Sequence, residues 1–237
     1  PTALLEPNAR PGRANRLLAR FARALFVQFE EAFDYFPRDR THLLGYPVRT
    51  IPQSRRPANT DHLVRLLVLG GSQGAHSINQ AVTAMLDQLS EHQGFHVTHQ
   101  TGTADYQEVQ AAYHHAGIRA EIAPFFDDVL ERLPQADLVI SRAGASTVAE
   151  LCVAGTPSIL VPYPFAADDH QMANARELER VGASVVIPDA QLRERLASET
   201  RALAQDPGRR RRMADAALKR AMPDAAERIW AMCQSWL

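Results

Sequence analysis

Cysteine is scarce: Cys152 and Cys233 are the only two in 237 residues, far apart and both in stretches that read as helical. That excludes a disulfide framework and a cysteine-based zinc site. No apolar run reaches transmembrane length and no charged-then-apolar segment opens the sequence, so the expected setting is cytoplasmic. Charge of one sign is also lacking. The 26 Lys and Arg against 27 Asp and Glu leave a net charge of −1, which removes the global electrostatic case for nucleic acid. GxSxG, HExxH and a P-loop lysine do not occur, and neither does an internal repeat or a low-complexity tract. His92, His96, His99, His114 and His115 read as surface or packed histidines.

What is present is enough apolar content, 46%, for a sizeable core in one large domain or one domain plus part of another. The sequence starts at Pro1, and Pro1 to Leu5 reads as a strand, so the chain is expected to begin inside a domain. The loop LEPNARPG leads to an amphipathic helix from about Arg13. Arg13, Arg16, Arg20 and Arg23 then share one stripe, and Leu17, Phe21 and Leu25 a neighbouring one. A solvated basic face over a packed apolar face is favoured over membrane contact. Leu43 to Ile51 reads as a strand end and turn, and the proline-rich stretch after it suits a linker over 52–62.

From Leu63 the pattern is regular. Strands are expected at Leu63–Leu69, Phe95–Gln100, Ala120–Pro124, Asp137–Ile140, Ser158–Val161 and Ala183–Ile187, with helices between them and to the end. Apolar strands alternating with single helices predict an α/β fold with a parallel, doubly wound sheet.

Three constellations carry chemistry. Gly70-Gly71-Ser72-Gln73-Gly74-Ala75 follows a buried strand and opens a helix, the context of a phosphate-binding turn. Its spacing is not GxGxxG, and no acidic residue ends the next strand to hold a dinucleotide ribose. Gly144 to Glu150 is a second glycine-opened helix start, near Ser146 or Thr147. Thr147 and Glu150 have capping-box spacing, so Glu150 either satisfies a backbone N–H in the first turn or accepts a sugar's hydroxyls beside a bound diphosphate. Asp168, Asp169, His170, Gln171 and Asn174 form the third. His170 is alone as a nitrogen ligand, which disfavours metal. Gln171 and Asn174, three apart, are expected on one helix face where two amides bind hydroxyls, with capping by an aspartate as the alternative.

Together, LEPN at Leu5–Asn8, GYPVRT at Gly45–Thr50, GGSQGA, FFDD at Phe125–Asp128, SRAGASTVAE at Ser141–Glu150 and VPYPFAADDHQMANA at Val161–Ala175 resemble the MurG family. The resemblance implies a two-domain Rossmann-like glycosyltransferase of the GT-B type that moves N-acetylglucosamine from UDP-N-acetylglucosamine to undecaprenyl-pyrophosphoryl-muramyl-peptide by inverting displacement. It implies no protein-bound cofactor or metal and a peripheral place on the cytoplasmic membrane surface. Residues 1–51 would end the N-terminal domain, 63–220 form the UDP-sugar domain, and 221–237 pack back.

By the same resemblance Glu150 holds the ribose and the Phe126 backbone meets uracil, while Ser72 with Ala145, Ser146, Thr147 and Val148 holds the diphosphate. Gln171 and Asn174 read the sugar, Asn8 and Arg49 contribute from the N-terminal side, and Arg16 and Arg20 are membrane-contact candidates. The family's HEQN loop reads LEPN here, and its proposed catalytic base falls before Pro1. The implied chain is therefore a donor-binding fragment. The alternatives are a UDP-sugar epimerase or other glycosyltransferase of this plan, or a non-catalytic UDP-sugar-binding half.

Overall fold

Short apolar runs that end in polar or glycine-rich loops form strands, and every paired strand is parallel, because helical segments intervene between successive ones. The computed structural model describes residues 1–52, 63–71, 74–90 and 94–236. Apart from Pro52, the expected linker over 52–62 lies outside the described residues, as does Ser72.

A three-stranded sheet is built from β1 (Ala3–Glu6), β2 (Ala24–Val27) and β3 (Thr41–Leu43) in that order. Helix α1 (Arg13–Leu18) and a 3-10 turn at Ala19–Phe21 join β1 to β2. The helix expected through Leu25 is thus corrected. Leu25 is fully buried in the central strand, paired with Leu4 on one side and Thr41 on the other. A four-residue apolar run, Ala24–Val27, suits a buried strand as well as a helix stripe, and only its two neighbours decide. Nor is the apolar stripe of the helix packed: Leu17 is 56% and Phe21 73% exposed.

The larger sheet has six strands: β4 (Val64–Leu69), β5 (Phe95–Gln100), β6 (Ala120–Ala123), β7 (Leu138–Ser141), β8 (Ser158–Leu160) and β9 (Ser184–Val186). Their spatial order is β6-β5-β4-β7-β8-β9. On one face lie α2 (His76–Ala84), α3 (Leu86–Ser90), α4 (Tyr106–His115) and α8 (Leu192–Gln205); on the other are α5 (Val129–Arg132), α6 (Ala145–Ala154), α7 (His170–Arg180) and α9 (Pro207–Lys219). Each face has its own apolar cluster, Leu66, Val68 and Ile140 on the first and Leu67, Leu69 and Val139 on the second. Burial on both faces explains why these strands are continuous leucine and valine runs rather than alternating ones.

From β4 the chain moves outward to β5 and β6, then returns to the other side of β4 as β7. The order therefore reverses between β4 and β7, and in such sheets ligands bind in the crevice outside the carboxyl ends at that reversal. Register aligns those ends: Leu69 is level with Gln100 and Ser141, and Ser141 with Leu160. The three constellations read from the sequence follow β4, β7 and β8.

The two sheets interlock through polar side chains. Gln28 donates to the Ala145 carbonyl at 3.2 Å, and Arg220 contacts Glu177 at 3.3 Å and Glu30 at 3.6 Å. Helix α10 (Ala225–Gln234) lies on the small sheet, with Ile229, Met232 and Cys233 against Ala24, Phe26 and Leu44.

Candidate functional site

Helix α6 starts at Ala145 with Gly144 as its N-cap, and no side chain caps it. The first intrahelical bond runs from the Val148 N–H to the Gly144 carbonyl at 2.9 Å. The N–H groups of Ala145, Ser146 and Thr147 therefore have no intrahelical acceptor, and the helix dipole makes that end attractive to an anion. No acidic residue occupies its first turn. This removes the capping box: Thr147 lies inside the helix and Glu150 sits in the second turn. At the other end Gly155, at φ 63°, closes the helix in a left-handed conformation that glycine adopts without strain.

The Glu150 carboxyl is half-buried and accepts no hydrogen bond among the described residues. Burial holds it above the usual carboxylate range, against the opposing pull of Arg49. Arg49 is exposed, beyond β3, and supplies a positive charge from outside the large sheet. A partly desolvated carboxylate without a protein partner, one turn behind an uncapped helix start, is a functional-site signal.

Gln171 and Asn174, neighbours on α7, have separate fates. The Gln171 Oε1 accepts the N–H groups of Tyr163 at 2.9 Å and Ala143 at 3.3 Å, which ties together the loops after β7 and β8. Asn174 is 0% exposed. Its Oδ1 accepts the Ala9 N–H at 2.9 Å and its Nδ2 donates to Asn8 Oδ1 at 3.1 Å and the Ala143 carbonyl at 3.2 Å. The expectation that Asn174 reads sugar hydroxyls is corrected: its amide is spent on joining the two sheets. Asn8 belongs to the same clasp, its Nδ2 donating to Glu6 at 3.1 Å.

Phe126 also departs from expectation in part. Its N–H donates to Gln100 Oε1 at 3.0 Å, so only its carbonyl remains for a base edge, and its ring lies 4.2 Å beneath the Arg132 guanidinium. Gln100 Nε2 in turn donates to the Gly71 carbonyl at 3.1 Å, joining the glycine turn to the Phe126 loop. That turn is tight: a Cβ on Gly74, at φ +77°, would meet the Thr101 carbonyl oxygen at 2.7 Å.

Sequence reasoning missed the residues that organise the site from beneath. Arg142 donates to Asp189 at 2.5 Å, to Ser77 at 2.8 Å and to the Val161 and Pro162 carbonyls, both at 3.3 Å. Glu6, buried, gathers the LEPN loop by accepting from Asn8, Gly12 and Asn15. His99 is packed between Tyr113 at 3.1 Å and Asn79 at 3.0 Å, and burial lowers its pKa to about 4. A charged residue inside a motif, as Arg142 is in SRAGAS, was the available signal. Among the described residues no group of three or more His, Cys, Asp and Glu is placed to hold a metal.

Parallel α/β sheets with an anion-attracting helix start at the strand-order reversal follow the Rossmann-like plan, which GT-B glycosyltransferases share with other nucleotide-binding folds. The glycosyltransferase family 28 C-terminal domain matches residues 65–229. The chain belongs to this family and, within it, to the MurG family. It is 46% identical over 233 residues to the UDP-N-acetylglucosamine--N-acetylmuramyl-(pentapeptide) pyrophosphoryl-undecaprenol N-acetylglucosamine transferase of Sorangium cellulosum, covering 97% of this chain and 58% of that protein. The crystal structure of Acinetobacter baumannii MurG superposes with a TM-score of 0.86 at 30% identity, over 99% of this chain and 68% of the other. A putative UDP-N-acetylglucosamine 2-epimerase from Listeria monocytogenes, at 13% identity and a TM-score of 0.65 over 93% of this chain and 61% of that one, shares the fold. The chain spans about three fifths of the length of the curated relatives it matches.

Proposed function

We propose that this chain is the donor-binding part of a UDP-N-acetylglucosamine-dependent hexosyltransferase. The whole enzyme transfers N-acetylglucosamine to undecaprenyl-pyrophosphoryl-muramyl-peptide in peptidoglycan synthesis, by direct displacement with inversion. One observation carries this reading: the unpartnered, half-buried Glu150 behind the uncapped start of α6. The helix start receives the diphosphate, where negative charge grows as UDP leaves, and Glu150 accepts the ribose hydroxyls. Ser72 adds a donor, the Phe126 carbonyl meets uracil, and Arg49 contributes its charge from the N-terminal side. Gln171 holds the sugar end. In this assignment Asn174 and Asn8 keep the two sheets in register, and residues 1–51 belong to the acceptor domain, 63–220 to the donor domain and 221–237 to a returning helix.

The reading extends to the membrane surface. Among the described residues no helix is long and apolar enough to cross a membrane. Leu17, Leu18 and Phe21 are exposed beside Arg13, Arg16 and Arg20, an apolar patch with basic neighbours that suits peripheral attachment to the anionic cytoplasmic face.

Calorimetry with UDP, UDP-N-acetylglucosamine and NAD tests the donor assignment; preference for NAD sinks it. Radiolabel transfer to the lipid-linked acceptor by the full-length protein tests the reaction. Co-sedimentation with anionic vesicles, unchanged after Phe21→Ser with Arg16→Glu and Arg20→Glu, removes the membrane assignment.

A further inference from the structure

Phe165 is 82% exposed, yet it stands on one of the most tightly fastened loops of the protein. Tyr163 and Phe165 each follow a proline, Pro162 and Pro164. The Ala166 N–H donates to the Tyr163 carbonyl at 3.2 Å, closing a turn with Pro164 in its second position and Phe165 in its third. Proline fixes φ there, so little conformational freedom remains to be lost on binding. The turn is anchored from below. Gln171 takes the Tyr163 N–H, Arg142 holds the Pro162 carbonyl, and the Arg142 guanidinium lies 5.4 Å from the Tyr163 ring centre. The Tyr163 ring meets Phe165 edge-on, at 5.6 Å and 71°.

An apolar ring kept in water by a preorganised turn has a face to offer. We propose that Phe165, braced edge-on by Tyr163, is a stacking platform for a pyranose ring at the sugar end of the site. This rests on the donor-site reading above and extends it. The chemistry is specific: the C–H bonds on one face of a pyranose are weakly positive and meet the negative face of an aromatic ring, while the hydroxyls point outward to amides such as that of Gln171. Position favours a sugar over a lipid surface. The platform is joined through Gln171 to Ala143, next to the α6 start.

Two pyranoses are available, the donor's N-acetylglucosamine and the acceptor's muramyl ring, and separate measurements distinguish them. The chain and its Phe165→Ala and Phe165→Tyr variants are titrated with UDP, with UDP-N-acetylglucosamine, and with methyl N-acetylmuramide in the presence of UDP. The platform requires that Phe165→Ala weaken one of the sugar ligands at least fivefold, leave UDP affinity within twofold, and be rescued by Phe165→Tyr. Whichever sugar responds is the one that stacks. Unchanged affinity for both sugars overturns the inference, as does a parallel loss of UDP affinity, which makes the ring a prop for the loop. A loss confined to vesicle binding also overturns it, in favour of a lipid contact. Failure of the unaltered chain to bind UDP removes the donor reading itself and this inference with it.

Discussion

Two helices, α2 and α6, begin after glycine-containing loops on either side of the strand-order reversal; neither start has a side-chain cap, and they differ in what becomes of their polar side chains. At α2 the protein uses its own side chains. His76 meets Asp105 at 3.0 Å, Ser77 donates to Asp189 at 2.7 Å, and Asn79 donates to Asp105 at 2.7 Å and to the Thr101 carbonyl at 2.8 Å. At α6 the Glu150 carboxyl has no hydrogen-bond partner among the described residues. The same local motif therefore occurs once with its polar side chains paired and once with a carboxyl left unpaired.

The comparison breaks most visibly at Asn79. Asn79→Ala strands the buried Thr101 carbonyl and His99 together, and is expected to cost about 3 kcal/mol or more in denaturant unfolding. His99 sharpens it through pH. Its folded pKa of about 4 lies below the unfolded value of 6.5, so the unfolded chain takes up the proton first. Stability from this group is complete above pH 6.5 and declines as pH falls towards 4, on the order of 2–3 kcal/mol in all. Unfolding midpoints across that window should flatten in His99→Gln.

At α6 the expected effects are on binding. Glu150→Gln weakens UDP by roughly 1.5–3 kcal/mol in calorimetry, the range for a lost charge-assisted hydrogen bond. Because burial disfavours the charged form, the same change leaves thermal stability at neutral pH equal or slightly higher. A fall in melting temperature with affinity intact would reverse the assignment. The smallest effect concerns the loop before α7, where Asp168 and Asp169 both have positive φ, 51° and 56°. Asp169→Gly relieves that strain and should raise stability by about 0.5–1 kcal/mol.

Much of this was legible. The strands of the larger sheet stand out as apolar runs because helices bury them on both faces, and the loops at their carboxyl ends carry the polar residues. Glu150 and Gln171, on the helices that follow those loops, had their expected roles from the family resemblance rather than from spacing. Other readings failed where two arrangements satisfy the same spacing. Thr147 and Glu150 are three apart in a capping box and equally so inside a helix that starts at Ala145. Leu25 matches a helical stripe with Leu17 and Phe21 but pairs between β1 and β3. Gln171 and Asn174 share a helix face, but residue 174 lies under the loop from β1 and residue 171 under the loop from β8.

By itself the sequence determined the class of fold, the sheet that carries it and the loops where a ligand would meet it, since apolar periodicity and glycine placement are local properties of the chain. Tertiary structure alone decided which polar groups were already spent. A buried amide or N–H takes whatever partner packing brings within about 3 Å. For Asn174 that partner is 165 residues away, at Ala9, and for the Phe126 N–H it is the side chain of Gln100. Among the described residues no comparable partner reaches the Glu150 carboxyl, and that difference in packing is what separates an amide spent as a joint of the fold from a carboxyl left unpaired.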